Sequence, residues 1–277
     1  MIIDFHTHAF PDKIAFKAID ILASSSKIEP FHNGKIEDLS IKTKESGIDY
    51  SLVLPVVTSP EQTKSINDFA VMINNSKEYN NIISFAGMHP DYLEYEEELL
   101  RIKKLGLKGI KLHPEYQNTY IDDIKYIRII DKAFELGLIV IIHAGIDIGI
   151  ESDIKASPKR IINCYNNLKN KGIFVLAHMG SWKMWNEVYE EILTKDFYID
   201  TAFSLGYAMQ QNKKIDLLTK EEINKFIKKH GSTKILFGTD SPWANQKEYV
   251  QFMKNLNLDL EDYDNIMGLN AKKILNL

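Results

Sequence analysis

Eight short apolar runs, rich in β-branched residues, alternate along this 277-residue chain with stretches of helical spacing. The runs cover residues 2–8, 50–54, 82–86, 107–112, 138–142, 173–177, 197–201 and 234–239. Between them, apolar residues recur at helical intervals over 13–22, 39–46, 61–79, 92–105, 122–136, 157–169, 183–193 and 219–229. Two further helical stretches, from residue 246 and over 260–275, finish the chain. A helix between two strands carries the chain back across the sheet, so the strands it joins lie parallel. Leu138-Ile139-Val140-Ile141-Ile142 is apolar without a break, as expected of a parallel strand buried on both faces. Eight such units at this length predict a closed (β/α)8 TIM barrel, with residues 1–277 as one domain. An open doubly wound sheet is the alternative, but the glycine-rich turn that such folds often carry after the first strand is missing.

The net charge of −4 comes from interspersed acidic and basic residues, with no basic stripe to meet nucleic acid. No apolar run reaches the ~18 residues that would cross a bilayer, so no membrane is expected. The first residues lack the basic and apolar segments of a signal peptide, and the expected compartment is the cytoplasm. The single cysteine, Cys164, falls in a helical pattern and reads as a small buried residue.

Function enters at the strand ends. Six of the eight histidines, His6, His8, His89, His113, His143 and His178, close predicted strands, and Asp240 closes the eighth. A barrel brings all these ends to one face, where such folds build their active sites. In an extended strand residues two apart share a face, so Asp4, His6 and His8 are expected to point one way. Neutral imidazoles with a carboxylate suit zinc or a similar divalent ion, which lowers the pKa of bound water to about 7. No G-x-S-x-G elbow is present, and Cys164 is not at a strand end.

The order of these motifs resembles a known family. Asp4-Phe5-His6-Thr7-His8, Gly87-Met88-His89-Pro90, Gly109-Ile110-Lys111-Leu112-His113-Pro114, Ile142-His143-Ala144-Gly145, Ala177-His178-Met179-Gly180 and Gly238-Thr239-Asp240-Ser241-Pro242 carry the likeness. The chain resembles the amidohydrolase superfamily, in the branch that includes aminocarboxymuconate-semialdehyde decarboxylase and many metal-dependent hydrolases. The resemblance spans the whole chain and ends on Gly268-Leu269-Asn270-Ala271, which is similar to the family's final helix. It implies one divalent metal, zinc before others, held by His6, His8, His143 and Asp240. It further implies catalytic roles for Asp240 and His178 in proton transfer and oxyanion stabilisation. A second metal enters if Lys111 is carboxylated, as in binuclear members. The reading preferred here sets Lys111 beside one metal, against a substrate carboxylate or Asp4.

Lys111, His113, Trp182 and Trp243 are the expected substrate contacts. Trp182 lies among the loops 146–157, 180–185 and 202–218, with Trp185, Phe203 and Tyr207, and Trp243 follows the eighth predicted strand. His89 is expected to be structural or pocket-lining, and His32 and His230 to be solvated. The resulting expectation is a metal-dependent hydrolase of a small amide, lactone or ester. The alternative is a non-oxidative decarboxylase of a small unsaturated or aromatic carboxylic acid, and the third reading a catalytically inactive binding barrel. A small-molecule substrate is the expected partner, and a homodimer is compatible with the sequence.

Overall fold

The computed structural model describes residues 1–151 and 153–277, leaving Ser152, in the predicted loop 146–157, outside the described residues. β1 (Ile3–Thr7) pairs in parallel with β2 (Tyr50–Val53), and β2 with β3 (Ile82–Ser84). Phe85 separates β3 from β4 (Ala86–Gly87), which continues the same stave and pairs with β5 (Gly109–Leu112). β6 (Ile139–Ile142), β7 (Phe174–Leu176) and β8 (Tyr198–Asp200) extend the sheet in chain order. A hairpin of β9 (Tyr207–Gln210) and β10 (Lys213–Asp216) then intervenes before β11 (Ile235–Leu236), which pairs with β8. Backbone bonds close the ring: Phe5 N–H donates to Phe237 O at 2.7 Å, Asp240 N–H to His6 O at 2.8 Å, and His8 N–H to Ser241 O at 2.7 Å. The eight staves thus form the barrel that the alternation predicted.

Two apolar layers hold it. Inside, Ile3 and Phe5 pack with Leu52, Leu54, Phe85, Ile139, Ile141, Val175 and Leu236. Ala271, Ile274 and Leu275 of the last helix, Asn270–Leu275, join them. Outside, Ile110, Leu112, Val140, Ile142, Phe174 and Leu176 meet helix residues such as Ile129, Ala133 and Ile161. The two faces of β6 therefore belong to different layers, which is why its sequence is apolar throughout. Cys164 is fully buried in the outer layer. Gly109 matters by its missing side chain, since a Cβ there would strike the Phe85 ring and Ile139 O.

Three expectations change. Between Asp4 and Thr7 the register of β1 shifts against β2, the mark of a bulge. Simple alternation therefore fails. Asp4 turns to Thr239 and Gln246, whereas His6 turns to Lys111, Asp200 and Asp240. The predicted loop 202–218 contains β9 and β10. Their turn residues Gln211 and Asn212 both have positive φ, as a tight two-residue hairpin requires, but lack the Asn-Gly pair that announces one. His32 is buried rather than solvated, and His230 is half-buried with Nε2 at 3.1 Å from Phe197 O. Among the described residues no helix is long and apolar enough to cross a membrane.

The inner layer generates a stability prediction. Phe85 is fully buried and meets Phe5 edge to face, ring centres 5.9 Å apart, at the break in the third stave. Phe85→Ala should cost about 3–5 kcal/mol, read as a lower urea midpoint with an unchanged slope. A loss below about 1 kcal/mol would mean that the barrel interior is not packed as described.

Candidate metal centre

The C-terminal ends of the staves carry an arrangement of imidazoles in which hydrogen bonds decide where each ring points. His6 sits just past the bulge, with Nδ1 at 2.8 Å from Asp200 Oδ2. His8 follows β1, with Nδ1 at 2.9 Å from Leu54 O. Leu54 O has no proton to give, and Asp200 accepts when it is a carboxylate, so each Nδ1 donates and each Nε2 carries the lone pair. Those two Nε2 atoms stand 3.2 and 3.0 Å from Asp240 Oδ1. Lone pairs facing a carboxylate oxygen repel unless a cation lies between them. A divalent ion placed among them serves both rings at once. Hydrogen-bonded far nitrogens are the usual support of metal-binding histidines. The donor atoms of His6, His8 and Asp240 lie within 4.8 Å of one another, so the residues present fit a divalent ion.

Asp200 links these parts. Its Oδ2 receives His6 Nδ1, while Oδ1 accepts the backbone N–H groups of His178 at 2.8 Å and Ala202 at 3.1 Å. His178 and Asp240 both have left-handed backbone, φ 61° and 70°, a costly conformation for residues with a Cβ. Their N–H bonds, to Asp200 Oδ1 and His6 O, hold them there. Asp4 anchors the other side, with Oδ1 accepting Thr239 N–H at 2.9 Å and Oδ2 accepting Thr239 Oγ1 and Gln246 Nε2.

His143 and His178 form a pair behind His6. His178 Nδ1 is 2.9 Å from Ala202 O, and His178 Nε2 is 3.0 Å from His143 Nδ1. The structure thus brings together three of the four ligands expected by resemblance, and puts His143 in a group with His113 and Asp147. The His113 and His143 rings stack, centres 4.3 Å apart. Lys111 is almost fully buried, with Nζ at 3.3 Å from His6 Nε2 and no bond to Asp4. Trp182 is buried, its Nε1 donating to Phe203 O at 3.0 Å, and Trp243 is partly buried. Gly145, at φ +91°, lets the backbone of residues 181–182 pass where a Cβ would collide. His89 accepts Asp91 N–H within its own turn, a structural part as expected.

Burial governs the charges. It keeps the His6, His113, His143 and His178 imidazoles neutral by lowering their pKa values. It pulls the Lys111 ammonium down to about 8, with Asp200 and Asp240 opposing, so the group stays largely charged at neutral pH. Burial also pushes Asp240 up, but the His8 contact and the neighbouring imidazoles outweigh it and hold that carboxyl at about 2. Glu115 rises to about 8 and Asp147 to about 6, each first by burial.

Asp200, Glu115 and Asp147 are missing from the residues singled out by sequence. Asp200 had a visible signal, an aspartate closing a predicted strand as Asp240 does. Glu115 and Asp147 lie beyond the tips, in loops whose course no periodicity reveals.

The amidohydrolase family model matches residues 3–277. No curated protein matches the chain. Among solved structures it is similar to 5-carboxyvanillate decarboxylase from Sphingomonas paucimobilis, with a TM-score of 0.70 at 14% identity, over 100% of this chain and 99% of the other. A dihydroxybenzoic acid decarboxylase from Polaromonas sp. JS666, with manganese and 2-nitroresorcinol bound, gives 0.68 at 15%, over 100% and 97%. A probable 2-pyrone-4,6-dicarboxylic acid hydrolase from Acinetobacter baumannii, with citric acid bound, gives 0.66 at 15%, over 100% and 99%. At such identities the likeness concerns the fold.

The role of Asp200 can be measured. Asp200→Asn should weaken divalent-metal affinity by roughly 10- to 100-fold while the fold persists, because His6 loses the acceptor that aims it. Unchanged affinity in a metal titration would mean that Asp200 does not orient His6.

Proposed function

This chain belongs to the amidohydrolase family, and on that premise we propose that it is a metal-dependent decarboxylase of a small aromatic or unsaturated carboxylic acid. His6, His8 and Asp240 are the proposed ligands, zinc being an ion that two imidazoles and a carboxylate suit. The ion supplies Lewis acidity for an anionic oxygen of the substrate. The observation that carries the reading is Lys111, a charged ammonium buried beside His6, 3.3 Å from its Nε2. An ammonium set against the ligands gives an anionic group a reason to enter a buried site. Both decarboxylases named above act on carboxylated aromatic rings, in keeping with that class.

In the reaction the bond from carbon to the carboxylate breaks, CO₂ leaves neutral, and the electron pair stays on the ring carbon. A proton must then reach that carbon. Lys111 stabilises the charge that develops, and His178 and Asp240 are the groups at hand to polarise the acid and pass the proton. Water is kept out by burial of His6, Lys111 and His178. A hydrolase reading has one observation of its own. Asp240 is held ionised at about 2, as a base taking a proton from attacking water would need to be. The Acinetobacter relative, which carries a dicarboxylic acid in its name, is compatible with it.

Product analysis separates the two, with substrates drawn from small aromatic and cyclic carboxylic acids. CO₂ release in step with acid consumption is the expected result, and a new acid or alcohol without CO₂ would transfer the reading to hydrolysis. His178→Asn should keep the proposed metal and lower turnover by roughly 10² to 10⁴. Lys111→Met should also keep most of the metal while raising KM for the acid at least about tenfold, the loss of one charge-assisted contact. An unaltered KM would remove the argument for an acidic substrate.

A further inference from the structure

A cleft of about 400 Å³ lies where the helix Ile36–Glu45 meets the start of the helix Gln246–Lys254. His6, His8 and Asp240 do not line it. Its size is that of a site for a small organic molecule.

His32, 6% exposed, forms part of the wall. Its Nδ1 accepts Gly34 N–H at 3.0 Å, so the neutral ring carries its proton on Nε2. Burial keeps the ring neutral by lowering its pKa to about 4. Nε2–H is thus a buried donor, and among the described residues it has no acceptor.

Gln246, 3% exposed, presents the opposite polarity to the same cleft. Its Nε2 donates to Asp4 Oδ2 at 2.8 Å and to Ser51 Oγ at 3.0 Å. Those two bonds use both amide hydrogens and fix which way the group faces. Oε1 remains a buried acceptor, again without a partner among the described residues. An unpaired buried donor and an unpaired buried acceptor both carry a desolvation cost, which a ligand bonded to the two removes.

The rest of the wall says what kind of ligand that is. Lys42 is paired with Glu45 at 2.9 Å, whereas Lys247 has no carboxylate within ion-pair distance among the described residues. Asn245 Oδ1 accepts Lys247 N–H at 3.0 Å and Glu248 N–H at 3.3 Å, so its NH₂ group is the part left to donate. His32, Asn245 and Lys247 are donors, one of them charged, and they suit an anion. Gln246 Oε1 requires a hydrogen on that anion. A carboxylate with a neighbouring hydroxyl supplies both, and Phe31, 48% exposed, offers a ring for an apolar group to lie against.

We propose that this cleft binds a small 2-hydroxy carboxylic acid bearing an apolar group. Its carboxylate meets His32 Nε2–H, Asn245 and Lys247, and its hydroxyl donates to Gln246 Oε1. The site is separate from the metal centre and does not depend on the reaction proposed there.

Mandelate has the three features, and calorimetric titration of the metal-loaded protein tests the site. The Lys111→Met variant is used throughout, because its barrel mouth has lost the ammonium that would draw an acid there. One equivalent of mandelate should bind. Phenylacetate, without the hydroxyl, and 1-phenylethane-1,2-diol, without the carboxylate, should each bind at least about tenfold more weakly. Adding Lys247→Gln or His32→Asn should weaken mandelate by at least about tenfold. The asparagine keeps an oxygen for Gly34 N–H, and circular dichroism should match the parent. Lys247 is exposed, so its variant decides the matter if His32→Asn does not fold. No saturable binding of mandelate would overturn the proposal, as would equal affinity for phenylacetate. Unchanged affinity in Lys247→Gln would also overturn it, placing the acid elsewhere.

Discussion

An imidazole with one nitrogen tied to a proton acceptor has no choice about what the other nitrogen presents. The barrel mouth is organised by that constraint. Asp200 takes His6, Leu54 O takes His8, and Ala202 O takes His178, which in turn takes His143. Four rings are thereby set with their lone pairs fixed in advance of any ligand. Preorganisation of this sort avoids paying, at the moment of binding, the entropy of ordering side chains.

The backbone makes it possible. The bulge in β1 separates Asp4 from His6, so one strand serves two purposes. Asp4 ties Thr239 and Gln246 beside it, while His6 reaches Lys111 and Asp240 in the barrel mouth. Without that register shift His6 would share a face with Asp4. Closure of the ring works on the same residues, since Asp240 N–H donates to His6 O. The hydrogen bonds that seal the barrel also hold Asp240 in its left-handed conformation, so fold and site are stabilised by common contacts.

How far a sequence reveals this depends on the range of the interaction concerned. The staves were legible because period and β-branched content are local, and β6, apolar throughout, was the clearest. His6, His8 and Asp240 were legible because strand ends in a barrel converge whatever the loops do. The bulge was not, since it arises from pairing between β1 and β2 and leaves no mark on either alone. Nor was the hairpin, whose turn is Gln211-Asn212. The burial of His32 and the partners of His143 depend on neighbours distant in the chain. Asp200 was within reach, given that it closes its strand as Asp240 does.

The central claim is that His6, His8 and Asp240 are aimed at a metal ion, and an anomalous-scattering map from crystals grown with divalent metal tests it most directly. The account predicts a peak at about 2.0–2.2 Å from His6 Nε2, His8 Nε2 and Asp240 Oδ1. Metal-replete crystals with no peak among those three atoms would contradict it.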